Sequence, residues 1–61
     1  MSIATYARTI TDSEILAHAQ YAAHAGDHAM ATDCRRAALQ GSQRARLRVA
    51  ATLIGRRAYG V

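Results

Sequence analysis

Apolar residues recur at helical spacing in three stretches of this chain, and each stretch is bounded by residues that start or stop a helix. In the first, Ile15, Leu16, Ala19, Ala22 and Ala23 fall within a ~120° sector, the mark of an amphipathic helix. His18, Gln20, Tyr21 and His24 lie outside that sector. Thr11-Asp12-Ser13-Glu14 reads as a capping box, with Thr11 at the cap and Glu14 reaching back to it. Asp12 and Glu14 also favour the positive end of the helix dipole. Gly26 suits the left-handed position that ends a helix, so the pattern predicts a helix over about 12–25.

Asp27 is a natural cap for a second helix over about 28–40, with Met30, Ala31, Cys34, Ala37 and Ala38 on one stripe and Leu39 at its edge. Gly26-Asp27 is too short for anything but an antiparallel helical hairpin. Its contacting faces are mostly alanine, so the axes approach closely. At ~25 cal/mol per Å² such faces bury little area, and the hairpin is weak alone.

Gly41-Ser42 offers a second stop and a second cap. Carried forward as one helix, the stripe of residues 30–38 would land ~150° away from the stripe Leu47, Ala50, Ala51, Ile54, Ala58. A break and a third helix over about 43–58, ending near Gly60, follow from that phase shift. One long bent helix is the rival, since an interior glycine costs only about 1 kcal/mol.

The third helix carries two apolar rows. Leu47, Ala50, Ile54 and Ala58 are expected to face the hairpin. Ala45, Val49 and Leu53 are expected to face outward, with Arg46 and Arg57 along one seam and Arg44 and Arg48 along the other. A helix apolar on two faces is normally covered on both. The outward row, Ala45, Val49 and Leu53 with Arg46 and Arg57, is therefore the expected surface for a second subunit or a partner. Ser2 to Ile10 shows no sustained period and is expected to be an irregular arm, leaving residues 11–61 as one helical domain.

The expected fold is all-α: a small helical hairpin plus a third helix, as a three-helix bundle or a long-helix hairpin, completed by dimerisation. Length supports the last step. A chain of 61 residues buries only about 60% of its unfolded surface, and its lone Cys34 excludes an internal disulfide. Fifteen alanines and no proline agree with helix throughout.

Ala25-Gly26-Asp27 followed by Ala31, Ala38 and Leu39 resembles the middle of a tetratricopeptide repeat, in which a Gly-Asp turn joins two helices packed through small residues. The likeness covers roughly residues 15–40, a single unit, and implies a tight helical hairpin. The large residues that the repeat places early in its first helix and midway along its second are missing here. Such repeats also need several stacked copies to bury a continuous core.

Charge changes the picture most. Up to Cys34 one arginine stands against four carboxylates; from Arg35 onward there are seven arginines and no carboxylate. A half this basic implies an anionic partner, counterions or the acidic half of another copy. All of the non-histidine basic residues are arginine, which suits bidentate contacts to phosphate or carboxylate but also follows from a GC-rich coding sequence.

Other chemistry is thin. His24 and His28 are four apart, but Gly26-Asp27 breaks the helix between them and the second ligand pair of a zinc site is missing. Cys34 lies on an apolar stripe, where a small buried hydrophobe is the plain reading; the active one is a nucleophile with its pKa lowered by Arg35 and Arg36. No nucleophile elbow, phosphate loop or carboxylate pair accompanies it, so neither an enzyme nor a cofactor is expected. No apolar run of about 18 residues and no signal-like start are present, so the expected place is the cytoplasm, without a membrane span.

These readings converge on a non-enzymatic helical regulator or inhibitor that binds a partner protein through a helix face, as a homodimer. Apolar rows rimmed by arginine suit a protein interface. The alternative is a nucleic-acid-binding protein using the arginine-rich last helix, with Arg44, Arg48 and Arg56 as the phosphate contacts.

Overall fold

The residues expected to form an irregular arm are helical. In a computed structural model describing residues 2–58, with side chains as far as Arg56, the first helix, α1, spans Ile3–Thr9. Ser2 caps it by accepting from the Thr5 amide, and the Thr9 hydroxyl donates back to the Thr5 carbonyl at 2.8 Å. Extended backbone at Ile10 ends it. Seven residues are fewer than two full turns of a detectable stripe, which is why periodicity missed it; Tyr6, Ala7 and Ile10 nonetheless turn one face inward.

The other three helices fall where their caps place them: α2 at Asp12–His24, α3 at His28–Leu39 and α4 at Gln43–Ala58. The Thr11–Glu14 capping box forms in both directions. Gly26 takes a φ of 79°, and the Asp27 amide donates to the Ala22 carbonyl at 2.8 Å while the Gly26 amide donates to Ala23. That reciprocal pair is the Schellman closure of α2. Asp27 then caps α3 through the Met30 amide. Gly41, φ 68°, ends α3, and Ser42 caps the next helix by accepting from the Ala45 amide. The break expected from the phase shift is present, with two helices and a turn between them rather than the rival single long helix.

α2 packs on α3, α3 on α4 and α4 on α1, which gives the spatial order α2–α3–α4–α1. The core holds Ile10, Ile15, Met30, Cys34, Val49 and Leu53 among alanines 19, 22, 31, 37 and 45. No strand occurs among the described residues, and no described helix is long and apolar enough to cross a membrane. The radius of gyration, 10.5 Å, equals that of a compact domain of this length, about 10–11 Å.

The two rows of α4 are the reverse of the expectation. Val49 is fully buried, with Ala45 and Leu53 beside it, whereas Leu47 is 43% exposed and Ile54 only half-buried. Of the described side chains in the expected inward row, Ala50 alone is buried. The row expected to await a second subunit is covered by the chain itself, and α1 supplies the additional cover that a dimer was invoked to give. Energetics explain the reversal. Leu47 with Ile54 differs from Val49 with Leu53 by one methylene, worth only about 0.8 kcal/mol. So small a preference is overridden by polar contacts that exist in one rotation of the helix and not the other. The Arg57 and Ala58 side chains, and the expected end of α4 near Gly60, lie outside the described residues.

This arrangement separates two kinds of α4 variant. Val49→Asp and Leu53→Asp should each abolish the cooperative thermal transition, because an unpaired buried carboxylate costs several kcal/mol against a total stability of about 3–9 kcal/mol for this length. Leu47→Asp should keep its helical circular dichroism and lose no more than about 1 kcal/mol.

Candidate interaction surface

Arg46, expected on the rim of a partner surface, is instead the joint between α1 and α4. Its Nε donates to the Ala7 carbonyl at 2.5 Å, one terminal nitrogen donates to the Ile10 carbonyl, and the other donates to Asp12 Oδ1 at 2.8 Å. The side chain is only 17% exposed. Ala7 and Ile10 lie at the C-terminal end of α1, where carbonyls lack helical partners and the dipole is negative, so a guanidinium fits there on both counts. Its five donors in a fixed fork allow one residue to hold three acceptors at once.

Two further pairs join α4 to α3. Arg56 meets the free oxygen of the α3 cap residue, Asp27, at 3.5 Å, and Arg48 approaches Asp33 at 3.9 Å. Three of the four carboxylates thus face arginines of α4, and the fourth, Glu14, closes the capping box. Much of the contrast between an acidic first half and a basic second half is neutralised within the molecule. Each exposed pair contributes only about 0.2–1 kcal/mol; it is together with the two carbonyl bonds of Arg46 that they outweigh the methylene that separates the two apolar rows.

The sites expected from sequence divide accordingly. Ala45, Val49 and Leu53 are core. Arg46 is a structural clasp, and the Arg57 side chain is outside the described residues. Of the proposed phosphate contacts, Arg44 is exposed with no ion pair among the described residues, Arg48 is 60% exposed and loosely paired, and Arg56 is engaged with Asp27. Sequence reasoning passed over Arg35, Arg36 and Leu39 as surface elements, although Leu39 stands at the edge of its stripe and is 69% exposed.

Exposed chemistry on the outer surface therefore centres on α4 and the end of α3. Along α4, Leu47, Ala51 and Ile54 form a strip turned from the core, with Arg44 and Arg48 along the edge nearer α3. On α2, His18 and Tyr21 bring their rings to 6.5 Å, while His24 and His28 are exposed. Among the described residues no three histidine, cysteine or carboxylate side chains gather to hold a metal ion. Cys34 is fully buried, and burial chiefly, then the nearby Asp33 carboxylate, pushes its thiol pKa up despite the opposing pull of Arg56 and Arg35. Desolvation outweighs the adjacent arginine, so the reactive-thiolate reading gives way to a packed, protonated thiol.

Comparisons with protein-family models, curated protein sequences and solved structures return no match.

Two outcomes test these assignments. Arg46→Ala should destabilise the chain by about 1–3 kcal/mol, since it strips the donor from two carbonyls and a carboxylate. Amide exchange should accelerate most in residues 3–9 and least in α2; uniform acceleration would mean that Arg46 is not a local clasp. Because the folded Cys34 thiol has its pKa raised, its contribution to stability is complete below the unfolded thiol's pKa and is lost as pH rises past about 8.5. Denaturation midpoints should fall on that alkaline side, and the slope should flatten in Cys34→Ala.

Proposed function

We propose that this chain is a non-enzymatic helical binding protein, a regulator or inhibitor that acts by laying the outer face of α4 on a partner protein. The observation that carries this reading is the strip Leu47, Ala51 and Ile54 beside Arg44 and Arg48, left on the surface after the chain has completed its own core. Large aliphatic side chains bordered by arginine are what protein interfaces enrich, and a helix face set into a groove is a common recognition mode.

A homodimer is a weaker proposal than the sequence suggested. A two-fold contact brings the same patch from both copies together. This patch has arginines and, apart from Asp33 beside Arg48, no carboxylate to answer them. The nucleic-acid reading keeps one observation in its favour: Arg35, Arg36 and Arg44 are exposed and without ion pairs among the described residues. Phosphates could meet them, but the aliphatic strip would gain nothing from that contact.

Capture from lysate by the tagged chain, with and without nuclease, separates the readings. A protein partner should resist nuclease and disappear with Leu47→Asp while helicity is retained. Capture abolished by nuclease and indifferent to Leu47→Asp would give the function to nucleic acid. Arg44→Ala should weaken protein capture modestly, because a rim charge acts mainly on association rate and its effect fades with salt.

A further inference from the structure

After the internal ion pairs are formed, the described arginines left over are Arg8 on α1 and a group beside the α3–α4 turn. Arg35, Arg36 and Arg44 have no ion pair among the described residues, and the Arg48 contact with Asp33 is long at 3.9 Å. These four residues belong to the last turns of α3 and the first turns of α4, on either side of the Gln40–Ser42 connection, where the Ser42 amide donates to the Arg36 carbonyl. They therefore gather at one end of the α3–α4 hairpin. The same end carries the two large aliphatic side chains most exposed on these helices, Leu39 at 69% and Leu47 at 43%. Each leucine has an arginine one turn before it on its own helix: Arg35 and Arg36 before Leu39, Arg44 before Leu47. Residues three or four apart share a helix face, so on each of the two helices a leucine lies beside the arginine that precedes it.

We infer that this end of the hairpin is a docking surface for an acidic amphipathic helix of another protein, its apolar side chains on Leu39 and Leu47 and its carboxylates on Arg35, Arg36 and Arg44. The inference rests on the protein-binding reading and narrows it to one partner chemistry. A second copy of this chain does not answer the surface. Asp12, Asp27 and Asp33 face arginines within the molecule, and Glu14 closes the α2 cap. A nucleic-acid backbone would satisfy the arginines and leave both leucines in water; among the described residues the exposed rings able to stack on a base, Tyr21, His24 and His28, sit near the α2–α3 turn at the opposite end of α3. An amphipathic helix with carboxylates flanking an apolar row answers both features together.

The test is a displayed library of amphipathic helical peptides with randomised polar positions, selected against the intact chain and counter-selected against Leu47→Asp. The expected pool is enriched in Asp and Glu beside a conserved apolar row. Its members should lose about tenfold in affinity on Leu39→Asp or Leu47→Asp, and a few-fold on Arg36→Ala or Arg44→Ala at low salt, with circular dichroism unchanged in each variant. A leucine-dependent pool without acidic enrichment would overturn the acidic-partner inference and leave the protein-binding reading standing. A library yielding no leucine-dependent binder, together with sub-micromolar binding of duplex DNA by the same preparation, would overturn both.

Discussion

One arginine holds the ends of this fold together. α1 is too short to be stable as an isolated helix and packs chiefly on α4, so its position depends on what fastens it there. Arg46 does so by filling the acceptors at the C-terminal end of α1 and then bonding Asp12, the first residue of α2. A single side chain of the last helix thereby ties together two consecutive helices from the other end of the chain. Once α1 lies on α4, the Ala45, Val49 and Leu53 row is enclosed between neighbours, and the Leu47 and Ile54 strip is the face left outside.

What could be read in advance was what depends on near neighbours. Thr11 with Glu14, Gly26, Asp27, Gly41 and Ser42 each mark a helix end through chemistry within a few residues, and all five marks appear in the structure. The faces of α4 were not legible. Both rows have helical spacing and nearly equal apolar volume, so the choice rests on Arg46, Arg48 and Arg56 finding acceptors 15 to 39 residues away in sequence. Periodicity contains no record of such contacts. α1 escaped for a related reason: its stripe is brief, and its stability comes from tertiary packing rather than from its own turns.

The charge asymmetry illustrates the same division. Read along the chain, it suggests a basic half in search of an anion. In three dimensions α4 lies against α3, and its Arg46 reaches Asp12 at the start of α2, so most of the carboxylates meet arginines of the same molecule. Sequence asymmetry overstated the surface charge and gave no hint of where the remainder would collect. Apart from Arg8 on α1, the remainder among the described residues is local: arginines near the α3–α4 turn, each followed by a leucine three or four residues on.

On the proposed binding role, why should so small a chain fold at all in order to present a few arginines and leucines? A disordered basic segment of the same composition could meet the same partner, but it would order its backbone on binding at about 1–2 kcal/mol per residue. Here α4 is already packed against α3 on one side and α1 on the other. The outer strip is therefore held at helical spacing in advance, and mainly side-chain freedom remains to be lost. The alanine-rich core serves this end. Small side chains let the helices approach closely, and caps, positive-φ glycines and the Arg46 clasp supply the definition that a core this slight would otherwise lack. The helical spacing of the outer face and the modest size of the interior are consequences of the same packing.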